Sequence, residues 1–166
     1  MPMQTDINAR VGVSTSKAVG AATATGGVLA HLVRQLTEGS DAGQANAAAS
    51  VQSTLAAGAN QDLDLSGGVQ DVFGGTVTFS TVKVLMIQVP DTADGPLEVG
   101  GAASNAFISP FGSATDVVLV EPGGALLLVA PGDGYTVTDA TGDLLRITNG
   151  GTVGVTPTVT LVGVSA

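Results

Sequence analysis

The chain has 166 residues, no cysteine and a net charge of −9, and Gly and Pro together account for 31 residues. This length suits one domain with a real core, and the lack of cysteine excludes disulfides and thiolate metal sites. The Gly and Pro share is well above the ordinary value of about 12 per cent, yet 44% of the residues are hydrophobic. Many short strands joined by tight turns have this composition.

The charge is distributed unevenly along the chain. Residues 1–40 hold three basic residues (Arg10, Lys17 and Arg34) against Asp6 and Glu38, a balance of +1. The whole chain has 5 basic and 14 acidic residues, so the remaining 126 residues hold 2 and 12, a balance of −10. We expect no nucleic-acid partner, because neutralising phosphates requires clustered Lys and Arg.

The sequence predicts neither a membrane span nor an export signal. No apolar segment approaches the ~18 residues that a spanning helix needs, so we expect no membrane partner. The best candidate signal, residues 18–32, is interrupted by Thr23, Thr25 and a Gly pair, and it contains His31. This pattern does not fit a signal peptide.

Residues 1–47 are predicted to form an extended, partly irregular N-terminal arm. The arm is rich in Ala, Gly, Thr and Ser and has no aromatic residue, so partners are expected to order it. Alternation over residues 7–13 predicts a short strand lying on another surface. Residues 28–36 fit an amphipathic helix that ends before Gly39, and they fit an extended strand equally well.

Residues 48–166 are predicted to form an all-β domain. Residues 61–65 alternate strictly, and the apolar phase of residues 76–89 slips in a way that predicts a β-bulge or a bend near Ser80 and Thr81. The C-terminal run is interrupted at Pro157, which predicts either an edge strand or a break. Turn residues delimit further short strands at 97–99, 106–109, 135–138 and 144–148. Eight to ten strands fit two packed sheets, an antiparallel, jelly-roll-like β-sandwich.

The densest apolar run is residues 117–130, VVLVEPGGALLLVA. Pro122 and Gly123 suit the second and third positions of a tight turn, so the run predicts a β-hairpin buried on both faces. Replacing Leu127 with Ala would then cost about 2 to 5 kcal/mol. All aromatic residues lie between positions 73 and 135, which places the core there: Phe73, Phe79, Phe107, Phe111 and Tyr135.

The sequence predicts no catalytic, metal or cofactor site. His31, the only histidine, lies among apolar neighbours with no identifiable partner. Asp133, Asp139 and Asp143 lack the spacing of a calcium loop, so we interpret them as turn residues. Asp62 and Asp64 share a strand face and are predicted to be solvated. We therefore expect a non-enzymatic protein without cofactors.

Ordered segments of the body resemble a family of small virion structural proteins of tailed bacteriophages. They are DLDLSGGVQDVFGGTVTFSTVKVLMI, LEVGGAASNAFISPFG, VEPGGALLLVAP and GYTVTDATGDLLRITNGG, within residues 44–164. The resemblance implies a β-sandwich decoration (cement) protein on the capsid exterior. Such proteins clamp neighbouring subunits of the major capsid protein, often as trimers.

This resemblance assigns the arm to attachment, on the capsid or on a neighbouring protomer. The expected contact residues are Ile7, Arg10, Val11, Val13, Lys17, Leu29 and Leu32. A tail, head-tail connector or fibre component is the alternative, because it would use the same domain as an oligomeric building block. A glycan-binding module or enzyme is less favoured, since few aromatic residues are available for a sugar platform.

Overall fold

The computed structural model describes residues 3–71 and 73–166, and every regular element in these ranges is a β-strand. Met1, Pro2 and Val72, which fall within the predicted arm and body, lie outside the described residues. The strands, in chain order, are β1 Thr5–Val19, β2 Ala22–Glu38, β3 Gln44–Ala45, β4 Ala47–Gln52, β5 Asn60–Asp64, β6 Val69–Gln70, β7 Thr76–Val77, β8 Phe79–Gln88, β9 Leu97–Gly100, β10 Val117–Val120, β11 Ala125–Val129, β12 Tyr135–Thr136, β13 Leu144–Asn149 and β14 Thr158–Ser165.

The strands form two larger sheets and two smaller ones. A four-stranded sheet has the order β10-β9-β13-β5, and a second sheet has the order β11-β8-β14-β4 with β12 also paired to β8. Strands β1, β2 and β3 form a third sheet, and β6 pairs with β7. The named strand pairs are antiparallel apart from β2 and β3, which run parallel. The predicted all-β class is confirmed.

One apolar core contains residues of both larger sheets. The four-stranded sheet contributes Leu97, Val99, Leu145 and Ile147, and the other contributes Phe79, Leu85, Ile87 and Leu161. The aromatic residues are divided: Phe79 and Phe107 are buried here, whereas the Phe73 side chain is 82% exposed. The core is therefore built mainly from aliphatic side chains of paired strands.

Strand β8 carries two irregularities against β14. Val162 and Gly163 pair with Val84 and Val82, so Lys83 is an extra residue, and the next register shift leaves Ser80 extra. The bulge predicted near Ser80 is confirmed. The bulge at Lys83 reverses the in-out alternation of β8 again, because an extra residue turns the following side chains to the other face. As a result Leu85 and Ile87 join the core with Phe79, while Val84 faces a smaller apolar cluster.

The prediction that residues 117–130 form a central buried hairpin is wrong. Strand β10 pairs with β9 in the four-stranded sheet, and β11 pairs with β8 in the other. The predicted tight turn is present: Gly124 N donates to Glu121 O at 2.8 Å and Gly123 has φ 71°. This turn joins two sheets instead of two paired strands, and it leaves most of β10 exposed.

The revised position of Leu127 changes its expected contribution to stability. Leu127 is half-buried beside the cluster of Val84 and Val162, whereas Leu85 is fully buried in the main core. We expect Leu85→Ala to lower the free energy of unfolding by about 3 to 5 kcal/mol and Leu127→Ala by about 1 to 2 kcal/mol. Urea denaturation of both variants measures the difference. Equal losses would contradict this burial pattern.

Other strand predictions have mixed outcomes. Strand β5 confirms the alternation at residues 61–65, with Leu63 and Leu65 buried. Strand β14 begins just after Pro157, which confirms a break there, but it lies between β8 and β4 and is not an edge strand. The strand predicted at residues 106–109 is wrong, because only Ala106 forms an isolated bridge, to Leu144.

An ion pair links the facing residues Asp62 on β5 and Arg146 on β13. Arg146 Nε and Nη2 donate to the two carboxylate oxygens at 2.7 and 2.8 Å. The hydrogen bond from Arg146 holds the pKa of Asp62 below its ordinary value of 3.8, although partial burial opposes the shift. The stabilisation is therefore present above the ordinary pKa and is lost as the pH falls through the lowered one.

We expect Asp62→Asn to lower the free energy of unfolding at neutral pH by less than about 1 kcal/mol, since the pair is partly solvated. In acid, below the lowered pKa, wild type and variant should have the same stability. Urea denaturation at both pH values checks this expectation. A difference that persists in strong acid would mean that Asp62 acts through packing and not through its charge.

Candidate functional site

Strands β1 and β2 form a long antiparallel hairpin at the N-terminus. They pair without a register shift from Thr5 opposite Leu36 to Val19 opposite Ala22. Gly20 and Ala21 form the connecting turn, with a positive φ at Gly20 of 63°. Residues 28–36 are therefore a strand and not a helix, and the arm is regular over both strands where partial irregularity was predicted.

The hairpin is long compared with the body. A strand of 15 residues spans about 50 Å at ~3.3 Å per residue. A compact body of the size of residues 39–166 has a radius of gyration of about 14 Å, which corresponds to a diameter of about 36 Å. An isolated two-stranded hairpin is marginally stable in water. The outer part of the hairpin therefore gains little stability from its own two strands.

The register divides the hairpin into two faces. Directly paired residues point to the same side, so Val13 and Val28 share a side with Val11 and Ala30. We call this side the apolar face: Ile7, Ala9, Val11, Val13, Val28, Ala30 and Leu32. It also carries Lys17 and Arg34. The other side, the mixed face, carries Asn8, Arg10, Gly12, Ser14, Leu29, His31 and Val33.

The outer part of the apolar face is open to solvent. Val11 is 67% exposed, Val28 is 73% exposed, and Val13 is also exposed. Leu29 and Val33 on the mixed face are exposed as well. A continuous exposed apolar surface is unusual in a monomer and typical of a contact site.

The root of the hairpin is packed on the body. Ile7 and Leu36, both from the side of the apolar face, are buried with Ala45, Val84 and Val162. The apolar face therefore begins as part of a core cluster and continues outward into solvent. Because the root is packed, the direction of the hairpin is set by the body.

Lys83 fastens the segment that follows the hairpin. Its side chain is only 2% exposed, although it lies in the apolar strand β8. Lys83 Nζ donates to the main-chain oxygens of Asp41, at 3.2 Å, and Gly132. Gly43 N also donates to Pro131 O at 2.7 Å. The ammonium is thus satisfied by carbonyl groups, and two loops are joined at the hairpin root.

The hairpin between Asp6 and Glu38 is basic. Residues 7–37 include Arg10, Lys17 and Arg34 and no acidic residue, a balance of +3 with His31 neutral. Asp6 and Glu38 lie at the root end. Since the body has a balance of −10, the hairpin and the body carry charges of opposite sign.

Two residues that were weighed as catalytic or metal-binding candidates, His31 and Asp143, make hydrogen bonds within the fold. His31 Nε2 lies 2.8 Å from Asn8 Oδ1 across the mixed face. Asp143 Oδ2 accepts from Ala140 N at 2.8 Å, a turn contact of the kind expected from the sequence, and also from Ser66 Oγ. Within residues 3–71 and 73–166, no group of three or more His, Asp or Glu side chains is arranged to hold a metal ion.

The structure places the seven predicted contact residues in three environments. Val11, Val13, Lys17 and Leu32 share the side of the apolar face, and Ile7 is buried at its root. Arg10 and Leu29 are on the mixed face. Sequence reasoning missed the anchoring role of Lys83, although a lone lysine within an apolar strand was a usable signal.

The sequence also missed the exposed edge at β10, because its apolar residues resemble a buried strand. No helix within the described ranges is long and apolar enough to cross a membrane. Comparison of the chain with protein families, with curated proteins and with solved structures found no match.

Proposed function

We propose that this protein is a non-enzymatic structural component of a tailed-phage virion. In this role it is a decoration protein that binds the outer capsid surface and bridges neighbouring subunits of the major capsid protein. Its two larger sheets would stack as a jelly-roll-like sandwich, with the acidic body toward solvent. Copies would associate with one another, as trimers at threefold positions.

The observation that carries this proposal is the apolar face of the hairpin. Its root is buried in the body, while Val11, Val13 and Val28 farther out are exposed. Such a rooted apolar strand pair offers contact area to another protein. On a lattice, many modest contacts of this kind sum to firm retention.

Co-sedimentation tests the function directly. The purified protein is mixed with capsids that lack it, and with isolated tails as the comparison. We expect saturable binding to capsids with a copy number proportional to the capsomers. Binding to tails in a few copies would instead support the tail, connector or fibre alternative, and binding to neither particle would contradict both.

A pair of variants tests whether the apolar face makes the contact. Val11→Asp with Val13→Asp places two charges on the apolar face, and Ser14→Asp with Ser16→Asp places the same charges on the mixed face. We expect capsid affinity to fall about 100-fold in the first variant, because charges on a buried contact surface must be desolvated, and little in the second. Equal losses would mean that the apolar face is not the capsid contact.

A further inference from the structure

We infer that the β1 edge of the hairpin docks on strand β10 of a second copy of this chain. The hairpin would extend the four-stranded sheet of its neighbour by strand addition, while its apolar face stays available for the particle. This inference rests on the proposed function only in treating the hairpin as an assembly surface. It does not depend on which particle the protein decorates.

Strand β10 is an open edge of the body. It is the terminal strand of its sheet and, within the described residues, pairs only with β9. Val117, Val118 and Leu119 are all exposed, and Leu119 is the most exposed of them at 55%. The strand sequence VVLV contains no charge and no proline, the features that normally block pairing at an edge. An apolar edge of this kind is a template for an added strand.

The other edge strands of the two larger sheets are less suited to pairing. Strand β5, at the opposite edge of the same sheet, carries Asp62 and Asp64. Strands β4 and β11, the edges of the second sheet, have mostly buried or half-buried side chains. The most exposed apolar edge of the body is therefore β10.

The charges around β10 indicate which kind of partner surface would bind there. Asp116 and Glu121 directly flank the strand, and Glu98 on β9 lies opposite Leu119. In the hairpin, β1 carries Arg10 and Lys17, and among the described strands it pairs with β2 alone. Packing two hairpins together would bring like charges into contact, whereas a hairpin on β10 pairs basic with acidic groups. The complementary partner is thus the body of another copy.

The two surfaces differ, so the contact is heterologous. Each copy offers one hairpin and one β10 edge, and a head-to-tail contact of this type closes into a ring when the rotation between copies permits. The free part of the hairpin, from Ala9 to Val19, spans about 36 Å. This reach is sufficient for the hairpin to cross to a neighbouring body. Each copy in the ring then takes part in two contacts, one through its hairpin and one through its β10 edge.

Sedimentation velocity of the full chain, without capsids, tests the inference. We expect wild type to associate, and Asp116→Lys with Glu121→Lys to weaken association about 100-fold through like-charge repulsion with the hairpin. Adding Arg10→Glu and Lys17→Glu to the same chain should restore association. The matched control, Asp133→Lys with Asp139→Lys, makes the same charge change in exposed loops and should associate like wild type.

Three results would overturn the inference: a wild type that stays monomeric at high concentration, a flank variant that associates normally, or a charge-swapped chain that remains monomeric. Capsid co-sedimentation reports separately on the proposed function. Association without capsid binding would contradict the function and leave this contact intact. Capsid binding by a monomeric wild type would contradict the contact and leave the function intact.

Discussion

A chain with a shortened hairpin is expected to fold normally and to lose about 100- to 10,000-fold of its apparent capsid affinity. Ala9 and Leu32 lie directly opposite each other, and Val19 and Ala22 form the pair next to the natural two-residue turn. The two pairs are an even number of residues apart, so Asn-Gly can replace residues 10–31 with the same turn geometry. Co-sedimentation measures the loss, which follows from the loss of multivalent attachment.

The shortened chain separates attachment from folding. It keeps Ile7 and Leu36, which pack at the root, and it removes mostly exposed side chains. Its thermal unfolding midpoint should therefore be close to that of the full chain. Full capsid affinity in this variant would exclude the hairpin as the attachment surface, and a large drop in the midpoint would show that the outer hairpin stabilises the body.

A large loss of stability, similar to that of Leu85→Ala, is expected from Gly163→Ala. Gly163 lies at the bulge between β14 and β8, where an added Cβ atom would be 2.0 Å from Thr81 O and 3.1 Å from Val82 Cα. Both neighbours are backbone atoms of a central strand pair, so neither can move alone. We expect a loss of about 3 to 5 kcal/mol in the free energy of unfolding, measured by urea denaturation.

Gly154→Ala is the matched control for this substitution. An added Cβ at Gly154 meets Leu55 O only at 3.7 Å, which is ordinary contact. The expected change is within about 0.5 kcal/mol. Similar losses in the two variants would mean that β14 and β8 separate at little cost, in which case the bulge would not constrain residue 163.

The sequence predicted local structure correctly where the spacing of residues is compatible with a single backbone geometry. The strict alternation around Leu63 and the turn at Gly123 both depend on local geometry, and both are confirmed. It failed for residues 117–130, because two apolar strands joined by a tight turn look alike whether they pair with each other or with strands of different sheets. The choice depends on β8 and β9, which lie far away in the sequence.

The hairpin likewise combines features that the sequence predicts with features that depend on long-range pairing. The apolar positions in residues 28–36 fit both a helix and an extended strand. Because all of these residues pair with β1, the segment is a strand. The basic residues of the arm were evident from the sequence, and the contact role of the seven candidate residues stays a prediction. Their separation onto two faces, and the burial of Ile7, depend on the register and on the packing of the root.

By itself the sequence determined the all-β class, the acidic body with a basic arm, and most turn positions, since these depend on composition and on short-range backbone preferences. Only the tertiary structure decided that the arm is a rooted hairpin, that Lys83 is buried against carbonyl groups, and that β10 is an open edge. Each of these results from contacts between segments distant in the chain. A local pattern does not specify the partners in such contacts, because any apolar strand can pair with several others.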